Sequence, residues 1–192
     1  MNLQIFALRT DGLSARTAQL LSRAADAEHA EAFRAYPDRP AVWQSLAANV
    51  LLRYAAAQMR GCAMSGVTTA RLPSGRPALP GTGLFCSVSH TDGLCVCAVS
   101  DRPVGIDAEK LRPAPMRVAK RVFSAGEQRL LAASDEPDLQ FFRFWTRRES
   151  VVKLTGAGLR DIRKAIAPDI ETKTAVLFDM YCLSVSTFTE TS

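Results

Sequence analysis

Residues 2 to 8 alternate at first, Asn2-Leu3-Gln4-Ile5, before the apolar Phe6-Ala7-Leu8, and predict a first strand. Ser14 to Ala35 is dominated by Ala, Leu, Glu and Arg, all good helix formers, and predicts one helix. Tyr36-Pro37-Asp38-Arg39-Pro40 breaks it. A second helix is predicted from Ala41 to Met59, where Val42, Leu46, Val50 and either Leu51 or Tyr54 recur at helical spacing and mark a core face. Gly61 to Gly83 is rich in Gly, Pro, Ser and Thr and predicts a loop with a short strand near Val67. Phe85 to His90 reads as a strand with a polar tip through Gly93, and Asp92-Gly93 turns the chain into a partner strand, Leu94 to Val99. Asp101-Arg102-Pro103 is the next turn, Val104 to Glu109 a short strand, and Arg112-Pro113-Ala114-Pro115 its end. Ser124-Ala125-Gly126-Glu127 fits a capping box opening a helix through Ala133. Pro137 starts a Phe-rich helix that stops before Gly156. Strand character returns in Ala175 to Phe178 and Tyr181 to Phe188. The turn at 101–103 divides the chain into an N-terminal half, 1–103, and a C-terminal half, 104–192. Strands and helices occur in both, without a clear internal sequence repeat.

A chain of 192 residues, 47% hydrophobic and 22% charged, has the composition of a globular protein of one domain or two small halves sharing a core. No apolar run approaches the roughly 20 residues of a membrane helix. The stretch Met1 to Leu8 lacks the basic start and cleavage site of a signal peptide, so a cytoplasmic location without a membrane partner is expected. The five cysteines (Cys62, Cys86, Cys95, Cys97 and Cys182) include no Cys-x-x-Cys and read as core thiols rather than disulfides or zinc ligands. The net charge of +5 suits an acidic partner or a phosphorylated ligand. It is not gathered into a basic tail or an aromatic-interleaved patch, so a nucleic-acid partner is not expected.

Three groups of residues carry candidate chemistry. In the Phe-rich helix, Trp145, Glu149 and Lys153 are four apart and form one stripe. Alone, that stripe reads as an ion pair beside a core Trp, ordinary helix support worth ~0.2–0.5 kcal/mol. Asp107 and Glu109, two apart in a strand, point the same way and repel unless a cation sits between them. A hard divalent cation suits such a pair, and Glu149 is a third carboxylate for it. The alternative is a polar strand end with Glu109 paired to Lys110 or Arg112. The third group is Ser89 and His90. A Ser–His–Asp triad with Asp92 is excluded, because adjacent strand residues face opposite sides. His90 with Arg76 makes an anion-binding pair, the alternative being a surface His and a solvated Arg.

Together these residues resemble the 4′-phosphopantetheinyl transferases of the Sfp type. Gly75-Arg76-Pro77 is similar to that family's Gly-Lys/Arg-Pro element, and Ser89-His90-x-x-Gly93 to its Ser-His-x-x-Gly element. Gly105-Ile106-Asp107-x-Glu109 is similar to Gly-Ile/Val-Asp-x-Glu, and Trp145-Thr146-x-Arg148-Glu149-Ser150-x-x-Lys153 to Trp-Ser/Thr-x-Lys-Glu-Ala/Ser-x-x-Lys. Arg148 stands where the family usually has Lys, and Ala41 and Gln44 where it often has Asp and Arg; His29 is the nearest basic candidate before that helix.

The resemblance implies an α/β (α+β) fold of two similar small halves packed as a pseudo-dimer, with the active site in the cleft between them, and a monomer. It implies transfer of the phosphopantetheine arm of coenzyme A to a serine of an apo acyl or peptidyl carrier protein, releasing adenosine 3′,5′-bisphosphate. Asp107, Glu109 and Glu149 would hold Mg²⁺, with Mn²⁺ as a substitute. Glu149 is the candidate general base, and Lys153 the group that neutralises or protonates phosphate oxygen. Arg76, Ser89, His90 and Ser45 would contact coenzyme A, and Trp145 would pack and position the stripe. Arg117, Lys120 and Arg121 form the basic patch expected to dock the acidic carrier. The alternatives are a degenerate coenzyme A- or carrier-binding module without transfer activity, and another Mg²⁺-dependent phosphotransferase or hydrolase.

Overall fold

The structure, a computed structural model, describes residues 1–158, 162–164 and 166–189. It divides into two compact units, Met1–Val104 and Gly105–Ser192.

In the first unit, strands β1 (Leu3–Arg9), β4 (Phe85–Thr91) and β5 (Leu94–Ser100) form an antiparallel sheet in the order β1-β5-β4. Thr91 opposes Leu94, so Asp92-Gly93 is the whole hairpin loop, and Gly93 supplies the positive φ (80°) the tight turn needs. Helix α3 (Pro40–Arg60) starts with Pro at its first turn and stops at Gly61 in the left-handed conformation. Leu46 and Leu51 are buried as expected, but Val42 and Val50 are only half-buried and Tyr54 is 47% exposed. The buried face is built instead from Ala47, Ala48, Leu52, Ala55 and Ala56, which share a core with Cys95, Cys97 and Val99 of β5. Short alanine side chains let the helix lie close to the sheet, and a pattern read from large residues finds only part of the buried face.

The single helix expected over 14–35 is two, α1 (Ala15–Ala24) and α2 (Ala27–Ala35). Asp26 caps the second, accepting a hydrogen bond from His29 N at 2.9 Å. Val67 lies in the core at the end of a 3₁₀ turn, Met64–Gly66, and not in a strand. The strands of that region are β2 (Ala70–Arg71) and β3 (Pro77–Ala78), paired as a small hairpin.

The second unit contains β6 (Val104–Lys110) from Gly105 onward, α4 (Met116–Val122), α5 (Ala125–Ala132), α6 (Pro137–Thr155), β7 (Ile170–Leu177) and β8 (Tyr181–Phe188). Its sheet has the order β6-β8-β7. The capping box at Ser124 and Glu127 forms, and Gly156 ends α6 with φ 73°. Helix α4 has no counterpart among the predicted elements, and β7 starts five residues before Ala175. Phe123, Phe141 and Phe142 form the aromatic core with Cys182, and Trp145 stacks on Phe141 at 6.1 Å. All five cysteines are free, and burial pushes the Cys86 and Cys95 thiols up to about 12. Among the described residues, no helix is long and apolar enough to cross a membrane.

Candidate active site

The acidic site of the second unit is set by how closely β6 lies against α6. A Cβ placed on Gly105 would meet the Ser150 carbonyl oxygen at 1.9 Å and Leu154 N at 2.5 Å. Only a residue without a side chain allows that approach. Across the same sheet, α6 meets β8 through small hydroxyl side chains. Thr146 Oγ1 bonds Ser184 Oγ at 2.8 Å, and Ser150 Oγ bonds Ser186 Oγ at 2.7 Å. Thr174 and Thr172 of β7 continue the two ladders, each at 2.8 Å.

Two residues beyond Gly105, Asp107 meets the helix stripe. Lys153 Nζ donates to Asp107 Oδ1 at 2.8 Å, and the Asp107 side chain is only 8% exposed. The helix-support alternative paired Lys153 with Glu149, four residues away. The structure brings it to a carboxylate 46 residues away. Glu149 is pushed up to about 7, first by burial and then by the Asp107 charge, with Glu109 adding to both and Lys153 opposing them. Asp107, Glu109, Glu149 and Lys153 thus sense one another electrostatically. Glu109 also accepts from Arg112 Nη1 at 3.2 Å, the strand-end pairing the sequence allowed.

Three hard carboxylates with one ammonium among them leave an excess of negative charge, and that donor chemistry suits Mg²⁺. Among the described residues, no three His, Cys, Asp or Glu side chains converge closely enough to hold a metal ion as they stand.

Arg148 does not face this stripe. It is 6% exposed, and its guanidinium donates to Glu127 Oε2 at 2.6 Å and to the carbonyls of Ile162 (2.7 Å) and Lys164 (3.1 Å). Glu127 is held below the ordinary carboxylate range: burial opposes ionisation, but hydrogen bonds from Arg148 and Ser124 outweigh it. Arg117, Lys120 and Arg121 are exposed on α4 at spacings of three and four, on one helix face.

The first unit holds a cavity of about 230 Å³. Ser45 of α3 and His90 of β4 line it, together with Gly75 and Pro77. Arg76 and Ser89 are not in its lining. Ser89 is 7% exposed and, as the neighbour of His90 in a strand, belongs to the opposite face. The Arg76 charge is felt at Cys86 instead. Residues the sequence did not single out complete the cavity. Asp26 Oδ2 accepts from Asn49 Nδ2 at 2.7 Å and from Thr69 Oγ1 at shorter range, and Asp26 Oδ1 from His29 Nδ1 at 2.7 Å. Burial alone would raise the Asp26 carboxyl; the hydrogen bonds from Thr69 and His29 prevail and hold it at about 2. An Asn on an otherwise alanine-lined helix face was the available signal for this cluster. For Arg71, which also lines the cavity, there was none.

Comparison with known proteins bears on these motifs directly. The model of the 4′-phosphopantetheinyl transferase superfamily matches residues 103–181, which include β6 and α6. A 4′-phosphopantetheinyl transferase of Bacillus subtilis is 34% identical over 151 residues, 77% of this chain and 67% of that protein. The 4′-phosphopantetheinyl transferase Sfp of Bacillus subtilis strain 168 is 29% identical over 135 residues, 69% of this chain and 60% of the relative. The 4′-phosphopantetheinyl transferase HetI of a Nostoc species is 40% identical over 95 residues, 45% of this chain and 40% of the relative. Gly105, whose missing side chain the fold requires, and the carboxylates and lysine it brings together all fall inside the segment that the superfamily model matches. The chain belongs to the 4′-phosphopantetheinyl transferase superfamily, a family of transferase enzymes.

Proposed function

We propose that this chain transfers the 4′-phosphopantetheine arm of coenzyme A to a serine hydroxyl of an apo acyl or peptidyl carrier protein, releasing adenosine 3′,5′-bisphosphate. The observation that carries the reading is the Asp107–Lys153 contact at 2.8 Å beside a Glu149 pushed up to about 7. It supplies a cation for a phosphate beside a concentration of negative charge that a divalent cation would relieve.

Asp107, Glu109 and Glu149 would hold Mg²⁺, or Mn²⁺ in its place. When bound, the ion would offset the charge that builds on the pyrophosphate as the phosphoanhydride breaks. The other roles belong to the chain itself. Glu149 takes the proton of the carrier serine, directly or through water. Lys153, one helical turn on, neutralises a phosphate oxygen or returns a proton to the leaving group. Ser45 and His90 bind coenzyme A in the first unit's cavity. Arg76 and Ser89, outside that cavity, are the weaker half of the expected set. Arg117, Lys120 and Arg121 dock the acidic surface of the carrier.

Intact mass of an apo carrier protein, after incubation with this chain, coenzyme A and Mg²⁺, tests the reading. The expected result is a gain of one phosphopantetheine arm, abolished by EDTA and by Glu149→Gln. No gain on acyl or peptidyl carriers, with coenzyme A still bound, would favour the binding module. Full transfer by Glu149→Gln would remove Glu149 from the chemistry.

A further inference from the structure

The expected coenzyme A site lacks charge on α3. Ala41 and Gln44 occupy the positions where the resemblance places an Asp and an Arg, and the Gln44 amide is directed at the Thr91 carbonyl at 3.5 Å. Among the described residues lining the first unit's cavity, Arg71 alone carries a fixed positive charge. Its sequence position gives no hint of this, because β2 brings it there through the hairpin with Pro77.

Arg71 Nη1 donates to the Gly75 carbonyl at 3.4 Å, and two side chains hold the rest of the guanidinium. Its Nη2 faces His29 Nε2 at 3.3 Å. A guanidinium can only donate, so that ring nitrogen is the acceptor and Nδ1 carries the hydrogen given to Asp26. Asp26 is fixed in turn by Asn49 and Thr69. A chain of contacts from the core of the unit therefore orients the guanidinium. The second neighbour is Glu28, whose Oε1 accepts from Arg71 Nε at 3.0 Å. That pair is largely in water, with side chains 48% and 64% exposed, so it is weak and easily exchanged. A phosphate presents the same kind of oxygen with more charge and fits the guanidinium fork.

We infer that Arg71, oriented by His29, is the specificity residue for the 3′-phosphate of coenzyme A, and that Glu28 holds its place until the ligand arrives. The inference rests on the function proposed above, which gives the pyrophosphate to the carboxylates and Lys153 and leaves the 3′-phosphate for this cavity.

Titration calorimetry of the full chain with coenzyme A and with 3′-dephospho-coenzyme A tests it. The expected result is that wild type prefers coenzyme A, and that Arg71→Ala weakens coenzyme A by about tenfold or more while leaving the dephospho form unchanged, as loss of a charge-assisted contact predicts. Glu28→Gln should hold coenzyme A as tightly as wild type or tighter, and only in the presence of Arg71. Equal losses for both ligands, or no loss for coenzyme A, overturn the assignment while the transferase reading stands. A wild type that binds neither ligand overturns both. Arg71 is exposed on a two-residue strand, and an unchanged thermal melt of Arg71→Ala separates lost binding from lost fold.

Discussion

Glu149 makes the second unit sensitive to pH in a definite direction. Its folded value of about 7 lies above the ordinary 4.5, so the folded chain holds this proton more tightly than the unfolded chain. The contribution is complete below pH 4.5 and is lost as the pH rises through 7. Its size is on the order of 1–2 kcal/mol, less than the full shift implies, because the half-buried side chain is screened by solvent. Thermal melts without added metal, from pH 5 to 8, should show wild type losing stability with a slope that Glu149→Gln lacks. Parallel slopes would mean that Glu149 ionises as freely as it would in water. The same residue shows the limit of reading along the chain. Its spacing from Lys153 placed both in one stripe, as found, but the lysine's bond to Asp107 depends on β6 lying against α6, which no spacing within the helix reveals.

The contact between β6 and α6 turns on Gly105. Gly105→Ala would force β6 away from α6, since the clash is with backbone atoms that cannot rotate aside. A loss of about 2–3 kcal/mol or more is expected, read as a lower urea midpoint. Transfer should fall further than the stability loss explains, because Asp107 moves with its strand. Unchanged midpoints would show that the two elements separate without cost. Elements whose signals are local were legible beforehand. The Asp92-Gly93 hairpin, the Ser124 capping box and the Gly156 stop each lie within a few residues of their cause. The break between α1 and α2 was not. Asp26 looks like one more polar residue in a helical run, and its partners Asn49 and Thr69 are 23 and 43 residues away.

Over the whole molecule, the positive net charge has a direction of use. Arg117, Lys120 and Arg121 stand exposed on one face of α4, and the last two lie in its final turn, where positive charge is favoured. If this face meets an acidic carrier, reversing two of the three charges to Glu should raise the KM for the carrier about tenfold at low salt and leave coenzyme A affinity unchanged. Added salt should narrow the gap between variant and wild type. A gap that salt does not change would place docking elsewhere. The mixed α/β class, the small sheets and the acidic strand were legible at this scale, because β6 and α6 carry their signature in contiguous residues. The lining of the first unit's cavity was not, because it is drawn from α2, α3, β2, β4 and the β2–β3 turn.

One atom ties several of these levels together. Glu127 Oε2 accepts from Ser124 N, from Ser124 Oγ and from Arg148 Nη2. The start of α5 and the anchoring of α6 therefore share a single acceptor, and positions 124, 127 and 148 form one mutational unit. A change from Arg to Lys at 148 alters how firmly Ser124 caps its helix, although the two residues share no bond of their own. The cost of a substitution beside Glu149 therefore depends on whether the serine 24 positions earlier is in place, and the effects of changing both do not simply add.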